Sequence, residues 1–197
     1  MVLIKLFLTS ILILSFSAKA DDLSLLSGVY RSTSVDGGIG ETETSIGARY
    51  GLKIANKVQW FAQARLTSTS YSGDNAPDGG SGFEVGGGQK YFYRSFSSRI
   101  TPYLSWLALF SNASNTTGAT ETTTQGIFYG GQAGMKFVLD RSFFVDFEAS
   151  FFLSALNSTT TVKNTGTDEE VKTTRMELYA DTIGEVQNMV VSLGYVL

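Results

Sequence analysis

Apolar and polar residues alternate along most of this chain with a period of two. The last nine positions show it most cleanly. Met189, Val191, Leu193, Tyr195 and Leu197 share one face, while Val190, Ser192, Gly194 and Val196 share the other. That period belongs to a strand and not to a helix. The same reading predicts seven earlier strands. The first lies within Leu23 to Ser34, with its register open because Leu25, Leu26, Val29 and Tyr30 fall on both faces. The others span Glu41 to Ile54, Val58 to Tyr71, Phe83 to Tyr93, Ile100 to Ser111, Gln125 to Leu139 and Phe143 to Ala155.

The intervening segments are rich in Gly, Asp, Asn, Ser and Thr, as loops are. They run Ser34 to Gly40, Ala55 to Lys57, Ser72 to Gly82, Arg94 to Arg99, Asn112 to Thr124, Asp140 to Ser142 and Leu156 to Gln187, so long and short connections alternate. Within the last, Ser158 to Lys163 and Glu170 to Thr174 can pair as a hairpin. Neither arm has an apolar face, so they read as strands projecting past a membrane and not as a ninth and tenth wall strand.

The charged residues sharpen this picture. Glu43, Arg49, Lys53, Arg65, Glu84, Lys90, Lys136, Asp146 and Glu148 all fall on the face opposite the apolar residues of their strands. A Lys or Arg facing lipid at mid-membrane costs roughly 2–4 kcal/mol. Random placement would not spare one face in six strands. The strands also reach the ~9–11 residues a tilted crossing needs. Long loops alternating with short turns, and an even strand count, are the marks of a membrane barrel. The expected fold is therefore an all-β, eight-stranded antiparallel up-and-down transmembrane β-barrel over residues 21–197, with a long fourth extracellular loop near 156–187. The same alternation also permits a soluble periplasmic barrel with its apolar face inward around an apolar ligand.

Residues 1–20 read as a signal peptide. Lys5 supplies the positive start, Leu6 to Phe16 the apolar run, and Ala18, Lys19 and Ala20 the cleavage site. An uncleaved anchor is the alternative, but the run is short for a span. Without Lys5 and Lys19 the chain would carry 13 basic and 18 acidic residues. That balance does not point to nucleic acid.

Three stretches carry a resemblance to small bacterial outer-membrane barrels of the OmpA-barrel, OmpX and opacity-like class. They are Gly88, Gln89, Lys90, Tyr91, Phe92 and Tyr93 at one strand end, then Thr101, Pro102 and Tyr103 after a turn, and the closing Leu193, Gly194, Tyr195, Val196 and Leu197. The resemblance implies the outer membrane of a Gram-negative bacterium, contact with its lipid, and handling by the barrel-assembly machinery. Leu193, Tyr195 and Leu197 would form the assembly signal, although that class usually ends in Phe. Outer-membrane enzymes of similar size rely on a catalytic His, and this sequence has none.

Neither His nor Cys occurs in the chain. The commonest general base and metal ligand are thus missing, and no Ser/His or Cys/His nucleophile can be built. No catalytic site, metal site or cofactor is expected. Gly86 to Gly88 and Gly130 to Gly131 lie inside strands, where glycine serves packing and curvature rather than phosphate binding. Asp74 and Asp78 lack the spacing of a calcium loop. Asn115 and Asn157 head glycosylation-type triplets that read as ordinary loop residues.

The candidate set is the interior charge network: Glu43, Arg49, Arg65, Glu84, Lys90, Lys136, Asp146 and Glu148. Three uses are open to it: a structural plug of salt bridges, a small gated channel, or catalysis by Asp146 and Glu148. An eight-stranded lumen is about wide enough for side chains to fill, and buried charges there must pair. The expected role is structural or surface-interacting and adhesin-like, with the loops meeting a surface partner.

Overall fold

In a bilayer, strands with one greasy and one ionic face curl until the ionic face is enclosed and no sheet edge is left open. In a computed structural model, which describes residues 22–33, 40–72, 78–94, 99–164, 166–167, 169–175 and 188–196, they do so. The signal-peptide expectation for residues 1–20, Asp74, and most of the first long loop lie outside the described residues.

The strands are β1 (Asp22–Thr33), β2 (Gly40–Ala55), β3 (Val58–Ser72), β4 (Gly79–Phe92), β5 (Ile100–Thr117), β6 (Thr120–Val138), β7 (Phe143–Asn164), β8 (Glu170–Arg175) and β9 (Asn188–Tyr195). All pair antiparallel with their neighbours. β9 bonds to both β1 and β7, which closes a ring of eight: β1 to β7 plus β9. β8 stands outside that ring. Among the described residues it pairs with the far end of β7 alone, Glu170 opposite Lys163 through Arg175 opposite Ser158.

The stagger of the ring follows from its register. A row of partners leaves β7 at Phe147 and passes through Val191, Ser27, Ile46, Leu66, Phe83, Asn112 and Gln125. It returns to β7 at Thr159, twelve positions further on. Two of those positions are bulged out of the pairing with β6, so the effective stagger is ten. Such a shift forces the strands to tilt by roughly 35–45°.

The alternation sets inside from outside. Leu25, Leu66 and Leu104 are 60–68% exposed on the outer wall, while Arg49, Lys90 and Glu148 are no more than 4% exposed within. The apolar face is therefore outward, which overturns the inward-facing soluble alternative. The interior also holds an apolar cluster of Phe61, Leu107 and Leu109, with Phe128 packed against it.

Several boundaries differ from the sequence reading. β1 takes the register with Asp22, Ser24 and Leu26 inward and Leu25 outward. The expected loop from Asn112 to Thr124 is mostly strand: β5 and β6 run on to a two-residue turn at Gly118 and Ala119, with Gly118 at φ 58°. β4 begins at Gly79, and β7 continues to Asn164. Beyond the apolar wall both faces of a strand are polar, so the two-residue period loses its contrast. In β7 the bulges shift the phase, and Phe152 rather than Phe151 stands opposite Gly131.

Candidate functional site: the barrel lumen

The lumen gathers polar side chains that are far apart in sequence. Arg49 on β2 faces Glu148 on β7, with Nη1 and Nη2 donating to the two carboxylate oxygens at 3.0 and 2.8 Å. Its Nε and Nη2 also donate to Gln63 Oε1 on β3, at 3.0 and 2.6 Å. The guanidinium lies 4.6 Å from the centre of the Phe61 ring. The five N–H donors of Arg project in one plane, and here two carboxylate oxygens and an amide oxygen take four bonds from two sides.

Lys90 on β4 extends the cluster. Its Nζ lies 2.6 Å from Asp146 Oδ2 and 3.1 Å from Glu148 Oε2, and it donates to the Tyr103 hydroxyl at 2.9 Å. Tyr103 on β5 is placed 2.6 Å from Asp146 Oδ1 and 2.8 Å from Glu148 Oε2. A phenol has one proton, so it serves one carboxylate at a time. The Tyr103 ring has room because its register partner is Gly134, where a Cβ would run into it. Every oxygen of the two carboxylates thus has at least one partner among Arg49, Lys90 and Tyr103.

A second cluster lies nearer the short turns. Asp22 Oδ2 accepts from Lys136 Nζ at 2.8 Å and from Gln59 Nε2 at 2.7 Å. Lys136 Nζ also sits 3.7 Å from the centre of the Phe144 ring. Arg65 and Glu84 are register partners on β3 and β4 and form an ion pair of their own. Between β5, β6 and β7, Ser105 donates to Gln132, which donates to Ser150. Glu43 stands higher, half-buried opposite Thr69.

Of the eight predicted interior residues, the structure thus joins Arg49, Lys90, Asp146 and Glu148 in one cluster. Arg65 pairs with Glu84, and Lys136 pairs with a residue not foreseen, Asp22. The parity of its strand could have found Tyr103, which sits between Pro102 and Leu104 of the apolar face. Asp22 was hidden by the ambiguous register of the first strand. Leu193 and Tyr195 lie on the outer wall, with Tyr195 edge-on to Phe143 at 5.2 Å. Leu197 lies outside what the structure describes.

A scan against protein-family models finds no match, and a search of curated proteins finds none. Among solved structures, the outer membrane protein OprG from Pseudomonas aeruginosa aligns over 91% of this chain and 97% of its own, with a TM-score of 0.62 and 12% identity. The fold is that of the small outer-membrane β-barrels. The N-terminal β-barrel domain of Pseudomonas aeruginosa OprF aligns over 90% of this chain and 98% of that one, with a TM-score of 0.51 and 12% identity.

An outer-membrane-type barrel explains the outer wall as well. Trp60, Gln89 and Trp106 form one row near the short turns, with the two indoles edge-on at 6.2 Å. Gln89, a polar residue among these aromatics, accepts bonds from Trp106 Nε1 at 3.2 Å and from the Tyr91 hydroxyl. Indole and phenol donors at this level fit a membrane interface, where an aromatic ring can be half in lipid.

Proposed function

We propose that this protein sits in the outer membrane as a closed barrel anchor, without catalysis, and that its strand extensions carry a surface-interaction, adhesin-like role. The supporting observation is a sharp change in the outer wall. One outward row reads Ile46, Leu66 and Phe83 before turning polar at Asn112, Gln125 and Thr159. The next outward row up reads Thr44, Ser68, Ser81, Ser114, Thr123 and Thr161, hydroxyl residues on six strands. Because the strands tilt, each such row climbs around the ring, and a band of hydroxyls is costly to bury in hydrocarbon. The membrane boundary should therefore cross the first row between Phe83 and Asn112 and pass below Thr44, Ser68 and Ser81 on β2 to β4.

Above that level β5, β6, β7 and β8 continue as a sheet rich in Thr, Ser and Asn, with Val162 and Val171 as an exposed register pair. β5 runs seven residues past Phe110 to Thr117, and β6 begins seven residues before Ile127 at Thr120, which is roughly 20 Å along each strand. A polar platform of this kind, with charges of mixed sign at Glu121, Lys163, Glu170 and Lys172, suits contact with a partner at the cell surface better than it suits transport.

Deleting residues 158–174 tests this reading. The ring keeps its β7–β9 pairing, so the barrel should still assemble and resist detergent until boiled, while surface binding changes. If the deletion abolishes membrane assembly, the extension is structural and the proposal fails.

A small gated channel is the rival reading. It draws support from the lumen being ionic rather than filled by apolar side chains alone. Planar-bilayer recordings of the refolded protein separate the two. A silent barrel agrees with an anchor, whereas steady conductance altered by substitution at Arg65 or Glu84 supports a pore.

A further inference from the structure

The end of the barrel opposite the strand extension is not flush. A cavity of about 640 Å³ opens there among the short turns. That is within the size range of small-molecule sites. The buried cluster of Asp22, Lys136 and Gln59 lines it from the lumen side, and Lys53, Arg99 and Arg141 line it from the rim. These rim residues come from the end of β2, the turn before β5 and the turn between β6 and β7, so three separate connections bring positive charge to one opening.

Both acids in the lining are already committed. Asp22 accepts from Lys136 and Gln59. Asp140 Oδ1 accepts the backbone N–H groups of Ser142 and Phe143 at 2.7 and 2.8 Å. Against these two carboxylates the lining sets Lys53, Arg99, Lys136 and Arg141, so a net positive charge remains, with Arg99 and Arg141 exposed at the rim. Val138, Leu139 and Val196 supply apolar wall beside it.

We propose that this cup binds a small carboxylate anion. Two guanidinium groups favour a planar, bidentate acceptor, and the apolar wall can cover a short carbon skeleton. The same chemistry is offered by a free organic acid and by the acidic side chains of a peptide. In the topology proposed above the cup would face the periplasm. Binding in detergent does not depend on that topology, so the two proposals can fail separately.

The test is calorimetric titration of the refolded barrel, in uncharged detergent, with citrate and with acetylated Glu-Glu dipeptide. Saturable binding of at least one is expected, weakened about tenfold by the double substitution Arg99→Ala and Arg141→Ala and kept by Lys57→Ala, an exposed turn residue outside the cup. Tighter binding of citrate assigns a free acid, and tighter binding of the dipeptide assigns a peptide-borne one. No saturable heat with either probe, or equal loss in the Lys57→Ala protein, overturns the proposal.

Discussion

Arg49 and Glu148, ninety-nine residues apart in sequence, hold one another across the lumen through two parallel bonds of 3.0 and 2.8 Å. Both side chains are almost fully enclosed. Removing one partner strands a buried charge, at a cost of roughly 3–5 kcal/mol, whereas replacing both with apolar residues is often close to neutral. Glu148→Leu should therefore lower the urea midpoint of the refolded barrel markedly, and Arg49→Met with Glu148→Leu should restore much of the loss. Equal destabilisation by the single and the double change would show that the pair does not act as a unit.

Two glycines make space for rings inside the barrel. Gly134 faces Tyr103 and Gly194 faces Phe144, each as a register partner. A Cβ on either would collide with the opposite ring. Overpacking of this kind costs typically ~1–3 kcal/mol. Gly194→Ala should destabilise by that order in urea unfolding, and adding Phe144→Leu should recover part of it. Gly134→Ala should instead disturb the Tyr103 hydroxyl, with its contacts to Asp146 and Glu148. If both alanine variants unfold like the parent, the rings are not seated where the register puts them.

The direction of the wall is testable on one strand. Ala108 and Thr116 both point outward on β5, the first within the apolar wall and the second above it. Ala108→Arg should cost roughly 2–4 kcal/mol in vesicle-based unfolding, and Thr116→Arg should cost close to nothing. Comparable effects at the two positions would place the membrane boundary elsewhere, or remove it.

Why these features could be read from the chain, and others not, follows from contrast. Inside the membrane each strand must show hydrocarbon one face and the lumen the other, so residues such as Leu66 and Arg65 announce their sides. Nine such charges share the face opposite the apolar residues, and the burial of Arg49, Lys90 and Glu148 in the closed ring shows that face to be the inner one. Above the membrane the contrast vanishes, and the run from Asn112 to Thr124 looked like a loop although Thr is a good strand residue. Adjacent Leu25 and Leu26 left β1 without a phase, which concealed Asp22. The bulges of β7 leave no local signature, so the shift between Phe151 and Phe152 was invisible. Which carboxylate meets which cation depends on the ten-residue stagger, and that only the closed ring defines.

The turn between β6 and β7 should carry a small, pH-dependent part of the stability. The backbone N–H groups of Ser142 and Phe143 donate to the Asp140 carboxylate and hold its pKa below the ordinary value. Unfolded, the group titrates at about 4. A carboxyl depressed in the folded state adds stability that is fully present above that unfolded value. The contribution is lost as pH falls through the folded one. Asp140 is exposed, so solvent screens the effect and it should be modest. Unfolding midpoints of the parent and of Asp140→Ala, measured from pH 7 down to pH 2, should differ at neutral pH and converge in acid. A gap that stays constant or widens below pH 4 would mean that the carboxylate's charge contributes nothing to closing the turn.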